Sequence, residues 1–240
     1  MIIWSLFDSG NGCYSQVFSQ KEGVTNISVG MDKERGTSDT HLNIDLADLS
    51  AYFGKSKLIA ELEKLPKPDV IIASPPCESW SLASAMSGGN ACWHHKKGES
   101  FKIREKKEYE TVQFKQEKSF YTRMNGELTV FNLIQIIKHF QPKIYIIENP
   151  AHGKIWEYIE EVIGFHLEYD NLTYYNNYGF DVRKPTRFKS NINLELKQDK
   201  IPNKIAFREQ SRVGGSYNVR SNIPLPLVEA IYTKLKEETK

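Results

Sequence analysis

Two rhythms of apolar and polar positions alternate along this 240-residue chain. Short runs rich in β-branched residues recur as "MIIWSLF" at 1–7, "NISVGMD" at 26–32, "LNID" at 42–45, "DVIIAS" at 69–74 and "KIYIIEN" at 143–149. Their length and composition predict strands. Between them, "LTVFNLIQIIKHF" (128–140) and "IWEYIEEVIGF" (155–165) repeat apolar residues near a 3.6-residue period, which predicts helices. Strand and helix alternating in this way predict a doubly wound α/β fold, a parallel sheet covered on both faces. After about residue 165 the tyrosine-rich "FHLEYDNLTYYNNYGF" and "PTRFKSNINLEL" suit antiparallel strands closing one edge of the sheet, and "PLPLVEAIYTKLKEE" predicts a last helix from near Pro224. Two polar stretches fall outside this pattern, lysine-rich 83–126 and turn-rich 192–219, and no internal repeat is present.

At 40% hydrophobic residues the chain can bury the core of one large domain, so we expect a single domain over 1–240. Three cysteines, at 13, 77 and 92, are too few and too irregularly spaced for a disulfide framework. With no charged-then-apolar leader and no long apolar span, the expectation is a cytoplasmic protein without a membrane partner. A net charge of +2 is only weakly basic, so any case for a nucleic-acid partner has to come from local charge.

The first local signal is "SLFDSGNGCYSQVF" (5–18), which runs from a strand through Gly10 and Gly12 into an amphipathic helix. Glycines at such a turn let backbone approach a ligand closely, although a Gly-x-Gly alone also fits a tight turn with no ligand. Asp32 tips the balance, because it ends the second strand about twenty residues on, where a carboxylate can accept hydrogen bonds from ribose hydroxyls. Asp45 closes the third strand within reach of an adenine amino group. Together these residues point to an adenosine-type cofactor, either a dinucleotide or S-adenosylmethionine. Ser15 replaces the third small residue of the dinucleotide fingerprint.

The second signal is "VIIASPPCESWS" (70–81). In an open parallel sheet the ligand crevice lies beyond the carboxyl ends of the strands, so Cys77 belongs beside the cofactor. Pro75 and Pro76 stiffen the backbone ahead of it and aim the thiol. Methylation of a pyrimidine at C5 needs such a group: C5 is too weakly nucleophilic to attack a methyl donor until a thiolate adds at C6. In "IIENP" (146–150), Glu148 sits at the same edge, where a carboxyl group can hydrogen-bond N3 and the amino group of cytosine.

"SPPCESWS", "ENP" and the opening "LFDSGNG", in this linear order, resemble the DNA (cytosine-5) methyltransferases, and "ENP" and "KPT" are similar to phage-encoded members. The resemblance runs from residue 3 to about 232. It implies a Rossmann-like fold with a mostly parallel seven-stranded sheet, S-adenosylmethionine as cofactor and double-stranded DNA as partner, in a phage or restriction–modification setting. It further implies Cys77 as nucleophile and Glu148 as the base-contacting acid. The cofactor site would be Phe7, Asp8, Ser9, Gly10 and Gly12 with Asp32 and Asp45, walled by Pro75. The family's Gln-x-Arg-x-Arg segment is best matched by "YGFDVRKPTRF", with Lys184 and Thr186 in the arginine places, so Lys184 or Arg187 is the expected cationic partner of the activated base.

The largest departure is the missing target-recognition domain, reduced here to 192–219, too short for an independent core and compatible with help from a second subunit. The basic insertion at 83–126 is its natural substitute, with lysines to neutralise phosphates and Trp93, Phe101 and Tyr109 to fill the gap left by an extruded base. "CWHH" at 92–95 lacks a second ligand pair at zinc-finger spacing, so no metal site is expected. Methylation of structured RNA and an inactive binding decoy are the rival functions.

Overall fold

A computed structural model describes residues 1–31, 40–85, 92–94, 101–111, 115–205 and 222–239. Seven strands form one sheet: β1 (Ile2–Leu6), β2 (Thr25–Gly30), β3 (His41–Asn43), β4 (Val70–Ala73), β5 (Ile144–Pro150), β6 (Tyr169–Tyr174) and β7 (Pro185–Ser190). Their spatial order is β3-β2-β1-β4-β5-β7-β6. The first five run parallel, and β7 inserts antiparallel between β5 and β6. This is the α/β architecture expected, with the tyrosine-rich strands at one edge.

Alternation along each central strand feeds two separate cores, which is why these runs read as continuously hydrophobic. Ile3, Val70, Ile72, Ile144 and Ile146 point to one face, where α1 (Cys13–Phe18) and the last helix, α6 (Leu225–Glu238), cover them with Val17, Phe18, Leu227, Val228 and Ile231. Trp4, Leu6, Ile71, Ala73 and Ile147 point to the other, under α2 (Lys57–Leu62) and α4 (Gln116–Phe140). A buried polar chain seats α1 on the sheet: Ser5 Oγ donates to Asn26 Oδ1 at 2.7 Å, and Asn26 Nδ2 donates to Ser15 Oγ at 3.2 Å.

Two helices differ from the pattern. The helix expected at 128–140 begins at Gln116, inside the segment read as an inserted loop, after a short helix α3 (Lys106–Thr111). Its first half buries only Ser119 and Gly126, so no apolar stripe announced it. The helix expected at 155–165 is one α turn, α5 (Ile155–Glu157), followed by a π-helical turn over Tyr158–Val162, closed by Ile163 N donating to Tyr158 O at 3.0 Å. Among the described residues no helix is long and apolar enough to cross a membrane.

Register places the site. Leu42, Val29, Leu6, Ala73 and Ile147 are successive partners across the five parallel strands. The next residue of each, Asn43, Gly30, Phe7, Ser74 and Glu148, therefore stands in one row at the carboxyl edge.

Candidate active site

At the end of β1 the chain turns sharply, with Phe7 at φ 65° and Gly10 at φ 83°. The Asp8 side chain folds back into this turn and accepts from three backbone N–H groups: Gly10 (2.9 Å), Gly12 (3.1 Å) and Ser15 (3.1 Å). Burial raises the Asp8 carboxyl while those three donors pull it down. Gly12 is required here, because a Cβ would meet Asp8 Oδ1 at 2.7 Å. Ser9 Oγ bonds Asn11 Oδ1 at 2.7 Å and closes the loop. The N–H of the helix N-cap, Gly12, and that of Ser15 in the first turn of α1 are thus already taken by the chain's own carboxyl group. Asp45 lies two residues beyond β3 on an exposed loop, with Ala47 N donating to its Oδ1 at 2.8 Å. Asp32 lies outside the described residues.

The Pro75–Pro76–Cys77 corner follows β4 and is fixed from both sides. Ahead of it, Asn149 Nδ2 on β5 donates to Pro75 O at 2.8 Å. Behind it, Trp80 N and Ser81 N both bond Cys77 O, at 3.0 and 2.9 Å. Trp80 is fully buried, stacked against Trp93 at 6.1 Å with the planes 15° apart, and its carbonyl accepts from Lys154 N at 3.0 Å. Gly126 of α4 lies so close that a Cβ would stand 2.5 Å from Ser79 Cβ. Cys77 is partly exposed, whereas Cys13 and Cys92 are buried, and burial pushes both of those thiols up to about 12.

Glu148 is 8% exposed on the α1/α6 face of β5. Ser74 hydrogen-bonds its side chain, Tyr14 OH lies 2.8 Å from Ser74 Oγ, and Tyr175 OH donates to Glu148 Oε1 at 3.4 Å. Burial raises the Glu148 carboxyl, opposed first by the nearby Lys184 charge and then by the Ser74 and Tyr175 bonds. Lys184 Nζ sits over the Tyr175 ring, 4.7 Å from its centre, and Lys184 O accepts from Tyr175 N at 3.2 Å.

Of the two cationic candidates, the structure brings only Lys184 to Glu148. On β7, Phe188 pairs with Glu148, and Thr186 shares that face and bonds Tyr175. Arg187 is directed to the opposite face and forms an ion pair with Asp170 at 3.3 Å. Tyr14, Ser74 and Tyr175 were not singled out from the sequence. Ser74 was findable as the residue opening the corner, but nothing local marks either tyrosine.

The insertion is docked through its aromatics. Trp93 is 5% exposed, its Nε1 donates to Ser79 Oγ at 3.3 Å, and Phe101 packs edge-on against it at 5.8 Å. These two rings anchor the segment and do not stand free to enter DNA, contrary to expectation; most of their value lies in apolar area removed from water. Tyr109 is half-buried and bonds Ser119. Lys102, Lys106, Lys107, Lys115 and Lys118 remain exposed. Of the reduced recognition region, 192–205 carries neither helix nor strand, and 206–219 lies outside the described residues.

No family model matches the chain. It is 27% identical over 195 residues to a protein of Frog virus 3 (isolate Goorha) described as "Probable DNA (cytosine-5)-methyltransferase", covering 80% of this chain and 71% of the relative. Among solved structures it is similar to a chain described as a prophage-encoded DNA modification methyltransferase (E. coli), at 14% identity, TM-score 0.44 and 90% coverage. A second is an Entamoeba histolytica methyltransferase, EhMeth, at 14% identity, TM-score 0.45 and 83% coverage. The chain spans 56% and 57% of those two chains. The ordered motifs resemble those of the DNA (cytosine-5)-methyltransferases, and a viral protein described as one is similar to this chain over 80% of its length.

Proposed function

We propose that this protein methylates C5 of a cytosine flipped out of DNA, through a covalent adduct between Cys77 and C6. The observation that supports it most is the Asn149–Pro75 hydrogen bond, which ties the cysteine corner to the strand end carrying the buried Glu148, whose carboxyl burial shifts upward. The other two cysteines are held as thiols by burial, which leaves Cys77 for the chemistry.

The residues fit S-adenosylmethionine better than a dinucleotide. Asp8 already takes the N–H groups of Gly10, Gly12 and Ser15, so a pyrophosphate at this turn would have to compete with the chain's own carboxyl group for them. Gly10 and Gly12 would let the ligand approach the backbone, Asp45 would accept from the adenine amino group, and Pro75 would form a wall. When bound, this cofactor supplies an electrophilic methyl group.

The chain's own groups then do the following. Cys77, as the thiolate with its proton already lost to solvent, forms a bond from Sγ to C6 as Glu148 gives its proton to N3, so electron density moves to C5 without a full charge on the ring. Lys184, beside Glu148, stabilises the carboxylate left behind. After C5 has gained the methyl group it loses its proton to a base, the Sγ–C6 bond breaks, and N3 returns its proton to Glu148. Flipping presents the base to this edge, and the exposed lysines of the insertion hold the phosphates.

The test is transfer of labelled methyl from S-adenosylmethionine to unmethylated duplex DNA and to structured RNA, with Cys77→Ala alongside and trapping on DNA containing 5-fluorocytosine. Cysteine-dependent label on DNA cytosine with a trapped adduct is expected. Label on RNA alone would move the substrate. Cofactor binding without label on either nucleic acid would replace catalysis with a binding role.

A further inference from the structure

The loop that follows β3 makes few contacts of its own. Ile44 N still reaches Gly30 O at 3.1 Å, and Leu46 is buried, but Leu49, Tyr52 and Phe53 are all largely exposed. A side chain from elsewhere holds it. Asn132, buried on α4, uses the two N–H groups of its amide on two loop carbonyls, Leu46 O at 2.9 Å and Asp48 O at 2.8 Å. A single nitrogen that donates twice to neighbouring carbonyls is the chemistry of a primary amide, and neither a carboxylate nor an apolar side chain of that size can reproduce it.

The clamp acts on the residue that matters. Asp45 Oδ1 is taken by Ala47 N, so the direction of the second carboxylate oxygen is set by the backbone of residues 45–47. Asn132 fixes that backbone at residues 46 and 48. It does so from a helix whose neighbouring Val130, Leu133 and Ile134 are fully buried, a rigid reference for an exposed loop. Beyond the clamp, Asp48 Oδ2 accepts from Ser50, whose own Oγ accepts from Lys57 N at 2.7 Å, so the loop is braced on both sides of position 48.

We infer that Asn132 is a positioning residue for the cofactor: by holding residues 46 and 48 it aims the outer oxygen of Asp45 at the exocyclic amino group of adenine, and so sets selectivity for that base. This rests on the reading of Asp45 as an adenine acceptor. Asn132 itself does not touch the cofactor.

Calorimetric titration of the full chain with S-adenosylhomocysteine and with its inosine analogue, which has a keto oxygen in place of the amino group, tests the inference without relying on turnover. Wild type is expected to prefer the adenine form by about tenfold to a hundredfold, the worth of one hydrogen bond to a charged acceptor. Asp45→Ala should bring that ratio close to one. Asn132→Leu should do the same, and the double variant should lose no further selectivity, because both changes remove one interaction. Asn132→Asp, which cannot donate at neutral pH, is the second variant should the leucine fail to fold. A selectivity ratio kept intact in the Asn132 variants would overturn the inference, even with weaker binding of both ligands. Wild type binding both ligands equally would overturn the role of Asp45, and wild type binding neither would overturn the cofactor reading and this inference with it.

Discussion

Asn149 donates to the Pro75 carbonyl at 2.8 Å from a buried position, so the end of β5 that carries Glu148 and the corner that carries Cys77 form one unit. Asn149→Ala leaves the Pro75 carbonyl without this donor and is expected to cost about 1–3 kcal/mol of stability. Adduct formation on 5-fluorocytosine DNA should slow while S-adenosylhomocysteine affinity stays within about twofold. Urea unfolding and trapping kinetics on the same preparation check both; unchanged trapping would show that the two strand ends are not coupled in this way.

Thiol reactivity should separate the three cysteines. Alkylation with iodoacetamide under native conditions, followed by peptide mass spectrometry, is expected to modify Cys77 first, because Cys13 and Cys92 are buried with thiols near 12 and present little thiolate at neutral pH. Equal rates at all three positions in the folded protein would contradict the assignment of Cys77.

Glu148 makes stability depend on pH in a predictable direction. Burial holds its carboxyl above the ordinary 4.5, so the folded state keeps a proton that the unfolded chain has released. Its contribution is complete below about 4.5 and is lost as pH rises through the raised value. Wild type should therefore lose stability relative to Glu148→Gln as pH rises above 4.5, measured by urea unfolding at each pH. Parallel profiles would mean that the carboxyl is ionised in the fold.

Lys184 and Arg187 should behave differently. Lys184→Met removes the charge beside Glu148, moves its carboxyl further up and is expected to slow adduct formation by at least about tenfold. Arg187→Met breaks a partly exposed pair with Asp170 on the other face, for about 0–1 kcal/mol, with trapping nearly unchanged. The reverse order of effects on the trapping rate would return the cationic role to Arg187.

Gly126→Ala would ordinarily favour a helix by about 1 kcal/mol. Here the new Cβ stands 2.5 Å from Ser79 Cβ, and the overpacking is expected to cost about 1–3 kcal/mol while displacing the turn behind Cys77. A lower melting temperature with slower trapping is the predicted pair of changes; a more stable protein would show that the turn yields freely.

Much of the fold was legible because its signals are local. The central strands β1, β2, β4 and β5 are buried on both faces, so runs such as Val70, Ile71 and Ile72 read as strands without knowing their neighbours. The start of α4 was not legible, because its first half packs through Ser119 and Gly126, neither of which marks a buried face in sequence. Trp93 and Phe101 looked available for DNA because charged residues surround them in the chain, yet folding lays both rings on the core beside Trp80.

The sequence by itself determined the order of the chemistry: a glycine turn after the first strand, a cysteine on a stiff corner and an acid at the end of the next strand. Each of these depends on residues adjacent in the chain. Tertiary structure alone decided which groups meet there. The period-two alternation of β7 against β5 put Thr186 on the face of Glu148 and sent Arg187 away, a choice that one residue of register would reverse, while Lys184, just ahead of the strand, reaches Glu148 over the Tyr175 ring. Tyr14, Tyr175 and Asn132 came to the carboxyl edge from distant segments because buried polar atoms must find partners wherever the packed chain brings them.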